Sequence, residues 1–497
     1  MSAWLAVVAV CVATLGVGAL GLRLSRTTSD FYVASRIVSP RWNASAIGGE
    51  YISGASFLGV AGLIFASGSD MLWYSIGYTA GYLVLLALVA APLRRSGAYT
   101  LPDFAEIRLR SAGVRRATAV LVVGIGWLYL LPQFLGAGLA LRTATGAPGW
   151  VGTVIAVLVV AANVTAGGMR SVTFVQAFQY WLKLTAIALP VVLLLFAWHT
   201  DGTPSAALRD SAWSAPLNGA DHPVYRTYSL LLALLFGTMG LPHVLVRLYT
   251  NPDGRAARRT VLTVIALLGA FYLFPPVYGA LGRIYAGDLL GTPDAMMLLL
   301  PGRMLGEPWG EAATALLTAG AFAAFLSTSS GLTISVAGVL SQDLLRGRFR
   351  ASVSGFRVGA ALAVLVPATL SLLGVRTGLA DTVTLAFALA ASTFCPLLVL
   401  GIWWRGLTRA GALAGLATGG LLASTAVLLT VSGTVESGWP AALLGQPAAW
   451  TVPAAFAVMV AVSLLTRGSR VPGVGTIMVR LHAPESLDLN RGEPGPR

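Results

Sequence analysis

The chain has 497 residues, of which 56% are hydrophobic and only 10% charged, with a formal net charge of +14 and a mean hydropathy of +0.78. Soluble domains carry about 25% charged residues, and the apolar runs here repeatedly reach the ~20 residues that a spanning helix needs, so a water-soluble fold is excluded. Basic residues are spread through the loops instead of forming one stripe with interleaved aromatics, which excludes nucleic acid and suits an anionic membrane surface.

Thirteen spans are predicted in chain order, over residues 2–22, 44–66, 73–93, 117–141, 149–166, 174–198, 227–246, 260–284, 310–340, 352–374, 381–403, 410–431 and 448–466. The first run lacks a positive start and an A-x-A site and is followed by arginines, so it reads as an uncleaved span, not a signal peptide. The 57 glycines and 25 prolines are tolerated in spans where neighbouring helices or cavities satisfy the freed backbone groups, so breaks inside helices are expected. Cys11 and Cys395 both fall within spans, which argues against a disulfide framework.

With the amino terminus outside, the inner loops hold Arg23, Arg26, Arg36 and Arg41; Arg94, Arg95, Arg108, Arg110, Arg115 and Arg116; Arg255, Arg258 and Arg259; Arg346, Arg348 and Arg350; Arg405 and Arg409; and Arg467 and Arg470. The outer loops hold Arg142, Arg209, Arg226, Arg283, Arg303 and Arg376. The positive-inside rule therefore places the amino terminus out and the carboxyl terminus in, across the cell inner (cytoplasmic) membrane. The Pro- and Gly-rich tail after Arg467 is expected to be flexible and is too short for a soluble domain.

Two spans share an oddity: each is interrupted near its middle. The second carries Ser53-Gly54-Ala55-Ser56, and the seventh carries Phe236-Gly237-Thr238-Met239-Gly240-Leu241-Pro242. Paired broken helices in corresponding positions of two halves point to a transporter of inverted repeats with its binding site at the breaks. The expected organisation is a leading helix and inner loop (1–43), a first repeat of five helices (44–198), an outer loop (199–226), a second repeat (227–403), two trailing helices (404–466) and the tail (467–497). An unwound helix exposes carbonyl oxygens to a cation, while the half-helix amino end offers N–H groups to an anion. A third segment, AFAAFLSTSSGLTISVAGVLSQDLL, adds Ser327, Thr328, Ser329, Ser330 and Thr333, hydroxyls able to complete an oxygen shell for a hard alkali cation. Singly, such hydroxyls more often bond the preceding turn.

The stretches SDFYVASR, YISGASFLGVAGL, AGGMRSVTFVQ, GTMGLPHVLVRLYTNPDGRAARRT and AFLSTSSGLTISVAGVLSQDLL together resemble the sodium:solute symporter family, most closely its acetate permease or monocarboxylate branch. The resemblance runs from about Asp30 to about Arg409. It implies an all-α polytopic membrane protein with a leucine-transporter-like core of five-plus-five inverted repeats, one leading helix and two trailing ones. Carried over residue by residue, it implies a sodium site made by the carbonyls of Gly49, Ile52 and Ala324 and the hydroxyls of Ser327 and Thr328. Five oxygens suit a hard cation. Many relatives place an Asp in the helix after GGM; this chain has Gln176, so the resemblance gives no support for a second sodium there.

Glu50 is a carboxylate near a helix centre, which costs about 3 kcal/mol on insertion scales and so calls for an interior partner or a duty. Beside Gly49, it either raises the negative potential felt by sodium or takes a proton itself; structurally, it would pair with an interior cation, Lys183 being the available lysine. For a substrate, the candidates are Ser53, Gly54 and Ser56 at the first break, Thr238, Met239 and Gly240 in the second, Gln133 as an uncharged donor, and His243 after Pro242. A small carboxylate needs two or three donors and a small apolar wall, which such groups supply. One sodium entering with one monovalent anion moves no net charge, so the membrane potential would then give no help.

The expected function is secondary active import of a small monocarboxylate of the acetate, propionate or pyruvate type with sodium. The alternative is a sodium- or proton-coupled carrier of another small solute such as an amino acid. Partners are the acid, sodium and the bilayer, with an oligomer or a small accessory subunit compatible. The spans show no H-E-x-x-H, no Ser-His-Asp set and no clustered metal ligands, so an enzyme is not expected. Neither repeated pore loops nor charged rings suggest a channel.

Overall fold

The computed structural model describes residues 2–22, 38–217, 221–344, 353–373, 378–435, 437–469 and 471–487. The SDFYVASR stretch, Arg23, Arg26, Arg36, Arg346, Arg348, Arg350, Arg376, Arg470 and the last ten residues of the tail lie outside the described residues.

After α1 (Ser2–Leu22), helix α2 (Pro40–Tyr51) ends where Ile52 leaves the helical region (φ −70, ψ 86). Ile52 and Ser53 are non-helical, and a π-helical turn, Ala55–Gly59, restarts the helix as α3 (Val60–Ser67). There follow α4 (Leu72–Leu88), α5 (Ala112–Thr145) and α6 (Gly149–Thr200). The second half begins with α7 (Pro223–Gly240) and α8 (Pro242–Leu248), then α9 (Gly254–Tyr272), α10 (Trp309–Val339), α11 (Val353–Leu372), α12 (Leu379–Trp403), α13 (Arg409–Val431) and α14 (Ala448–Leu465).

Among the described residues, ten helical runs are long and apolar enough to cross a membrane, eleven when α7 and α8, bent by 44°, count as one span. The thirteen expected spans map onto these eleven because two runs each hold two of them, Ala55–Leu88 and Gly149–Thr200. The reason is plainest in α6. Its 52 residues would measure about 78 Å if straight, more than twice the ~30 Å hydrocarbon layer. It is interrupted at Gly168 (φ 58, ψ −156), a conformation essentially reserved for glycine, and so supplies two crossings.

Helix α10 is the axis of the molecule, with every residue of its apolar window buried; α1, α2, α5, α6 and α11 pack around it. Helix α7 lies between α4 and α12, and α13 pairs with α14. Lipid offers no hydrophobic drive between helices, so close approach of small residues and polar contacts must hold them together. The two cysteines are free, Cys11 half-buried and Cys395 buried.

Part of the tail is helical. Residues Val474–His482 form a helix with Met478 and Leu481 buried and Val474 and Ile477 packed against the core, an apolar spacing of three and four that makes one helical face. Arg95 donates to the His482 carbonyl at 3.0 Å and pairs with Glu485 at 3.2 Å, while Glu485 also accepts the Gly254 N–H at 2.8 Å.

Candidate functional site

Both interruptions are real, and each has a local cause. At the first, the Ile52 N–H still reaches Gly48 at 3.0 Å, Ser53 leaves the helix, and the Ser53 hydroxyl takes the Ser56 N–H at 3.4 Å. The second is narrower than expected. Thr238, Met239 and Gly240 remain in the last turn of α7, and the break is Leu241 (φ −68, ψ 118), because Pro242 disfavours the helical region for the residue before it. Gly240 is a packing position: a Cβ there would lie 2.5 Å from the Ala390 carbonyl oxygen.

The candidate substrate residues meet around a shell of tyrosines that single-residue reading did not pick out. The Gly54 N–H donates to Gln133 Oε1 at 3.1 Å, the Thr238 hydroxyl lies 2.6 Å from the Tyr51 hydroxyl, and Ser56 Oγ lies 2.8 Å from the Tyr272 hydroxyl. His243 sits edge-on to Tyr129, with ring centroids 5.3 Å apart, and both its ring nitrogens are buried without a partner. Tyr51 packs against Tyr82 (4.8 Å), Tyr78 (5.9 Å) and Phe387 (6.1 Å). The hydroxyls of Tyr78 and Tyr82 are buried and unpaired. Together these side chains form an apolar wall studded with hydroxyls and spare polar atoms, chemistry that suits a small, partly polar solute. Met239, in the last turn of α7, is buried.

Glu50 finds its partner not in Lys183 but in Arg247 of α8, whose Nε lies 2.7 Å from Oε2. Arg247 lies six positions past Leu241, on the half-helix that a 44° bend sets off from α7. Arg247 also donates to Thr173 Oγ1 at 2.6 Å and to Gln176 Oε1. Gln176 Nε2 in turn reaches the Ser327 carbonyl at 2.7 Å. Glu50 Oε1 is left without a partner and lies against Gly331, where any side chain would strike it.

Four of the five oxygens of the expected sodium site do converge. Ser327 Oγ lies 2.6 Å from the Gly49 carbonyl and 3.2 Å from that of Ala324, and the Ile52 carbonyl joins them through a shared partner. Thr328 turns its hydroxyl to the Glu50 carbonyl, 2.6 Å away. The shared partner is Lys183 Nζ, which bonds to the Gly49 carbonyl, to the Ile52 carbonyl at 2.8 Å and to Ser327 Oγ at 2.6 Å. The donor set therefore has the chemistry of a cation site, yet its centre is held by a side chain of α6.

A family model described as "Sodium:solute symporter family" matches residues 31–419. The chain belongs to the sodium:solute symporter family. Among the symporter's relatives, "Uncharacterized symporter YwcA" of Bacillus subtilis is 31% identical over 486 residues, spanning 92% of this chain and 93% of the relative. "Monocarboxylic acid transporter" of Corynebacterium glutamicum is 32% identical over 479 residues, spanning 88% and 86%. Among solved structures, a substrate-bound, outward-open Na+-coupled sialic acid symporter superposes with a TM-score of 0.71 at 16% identity, over 93% of this chain and 98% of that one. MhsT in complex with L-phenylalanine gives 0.55 at 14% identity, over 86% and 98%. The symporter is thus an all-α, multi-pass membrane protein of the leucine-transporter fold.

Proposed function

We propose that the chain imports a small monocarboxylate of the acetate, propionate or pyruvate type by cation-coupled symport, with alternating access around the two breaks. The observation that carries this reading is the meeting of residues from both breaks in one tyrosine-lined cluster, where Thr238 meets Tyr51, Ser56 meets Tyr272, Gly54 meets Gln133 and His243 meets Tyr129. The 32% identity to a monocarboxylic acid transporter supports the acid over the alternative, an amino acid or another small solute. The positive-inside count supports an inner-membrane protein with its amino terminus out, built as two repeats over 44–198 and 227–403. Glu50 and Arg247 link the repeats and belong to the coupling machinery in this reading.

Sodium is the co-substrate that the family offers, entering at Gly49, Ile52, Ala324, Ser327 and Thr328. One observation favours a second reading, in which the driving cation is another ion: Lys183 Nζ lies among those same oxygens. Uptake of labelled acetate, propionate, pyruvate and proline into proteoliposomes, under a sodium gradient, a proton gradient or neither, tests the proposal. Acid accumulation that follows a cation gradient supports it. Preference for proline favours the amino-acid carrier, and uptake indifferent to every cation gradient rejects symport.

A further inference from the structure

We propose that Lys183 is a tethered cation standing permanently where sodium would bind at the first break, so that this transporter takes up its solute without sodium at that position. The inference rests on the symporter reading only for where an ion would enter.

Three observations carry it. The first is hydrogen-bond bookkeeping. The Gly49 and Ile52 carbonyls accept and cannot donate, so the nitrogen donates to both, while the Ser327 hydroxyl has the Gly49 and Ala324 carbonyls to donate to and its oxygen faces the nitrogen. Three oxygen partners arranged in this way match the three donors of an ammonium group. The second is space. A hard cation sits about 2.3–2.6 Å from its oxygen ligands, and Lys183 Nζ already lies 2.8 and 2.6 Å from two of them. An ion sharing those oxygens would overlap the nitrogen and face a like charge across it, so ion and lysine exclude one another.

The third is charge. Glu50 and Arg247 neutralise each other at 2.7 Å, which leaves Lys183 as the surplus unit of positive charge in the cluster, the same charge sodium would bring. It is the single lysine of the 497 residues and is completely buried. A lysine in a span is costly and rare unless it faces the interior with work to do. Arginine carries every other fixed basic charge of the chain, and its planar guanidinium could not occupy the point position that three converging oxygens define.

The test uses purified full-length protein in lipid nanodiscs and radioactive sodium as the probe. Wild type is expected to show no saturable sodium binding that Ser327→Ala removes. Lys183→Ala vacates the oxygens and is expected to bind about tenfold more sodium or better at the same concentration, the step that ~1.4 kcal/mol makes in an equilibrium constant. Ser327→Ala added to Lys183→Ala is expected to remove the gain. Saturable binding to wild type that Ser327→Ala abolishes would overturn the proposal, as would a folded Lys183→Ala that gains none. Should Lys183→Ala not fold, the wild-type arm decides alone. A failed solute screen would leave these binding results standing and would count against the monocarboxylate reading only.

Discussion

Arg247 and Glu50 are joined through Nε and Oε2 at 2.7 Å, with 1% and 2% of their side chains exposed, and the pair fastens the helix before the first break to the half-helix after the second. The Arg247 carbonyl adds a bond from Asn43 Nδ2 of α2 at 3.1 Å. Removing one partner strands a buried charge, which costs ~3–5 kcal/mol, whereas removing both is far milder. Arg247→Met is therefore expected to lower the thermal unfolding midpoint sharply, and Glu50→Gln with Arg247→Met to recover much of the loss. Equal midpoints for wild type and Arg247→Met would remove the pair's structural role.

Gln133 sits opposite the first break and takes the Gly54 N–H. Leucine at this position keeps the volume and deletes the acceptor, leaving a buried N–H unsatisfied at ~1–3 kcal/mol. Gln133→Leu is expected to raise the KM for solute by more than it lowers the unfolding midpoint, because the break it orients forms the site. A variant with unchanged uptake kinetics would detach Gln133 from the site.

Asp294 lies in the short helix Pro293–Met304, outside the spans. Burial pushes its carboxyl up to about 6, with the Leu379 N–H pulling down and Asp381 pushing further up. The folded chain thus holds this proton more tightly than the unfolded one, whose value is 3.8. The associated stability is present below pH 3.8 and is lost as pH rises through about 6. Asp294→Asn is expected to flatten that slope in midpoints measured across the window; an unchanged slope would refute the assignment.

Glu485 has the opposite sign. Burial raises its carboxyl, but the Gly254 N–H, its own backbone N–H and Arg95 outweigh burial and hold it below 4.5. Its support for the docked tail is present above pH 4.5 and fades as pH falls through the lowered value. At 38% side-chain exposure the contact is screened by solvent and contributes no more than ~1 kcal/mol. Glu485→Ala is expected to speed amide exchange over residues 474–482 while leaving the spans protected. Unaltered exchange would mean the apolar face alone holds the tail.

The spans and both breaks were legible because each rests on local chemistry: apolar length, the run 53–56, and Pro242 acting on Leu241. The hydroxyls of α10 were legible as a cluster, and four of the five expected ion ligands do converge. What local reading missed lies in long-range pairing. Lys183 meets a carbonyl 134 positions away, and Arg247 meets a carboxylate 197 positions away. The signal for Lys183 was its solitude in an apolar helix. The tyrosines of the site are individually ordinary, and only packing gathers them. The tail helix was readable from the spacing of Val474, Ile477, Met478 and Leu481, which its polar surroundings masked.

A solitary, wholly enclosed lysine also makes the transporter its own reporter. Reagents that modify primary amines find one side-chain target in the entire polypeptide, and water reaches it only when the bundle parts. The pace at which that amine becomes modified therefore measures how often the centre of the molecule opens to either side, with no label introduced.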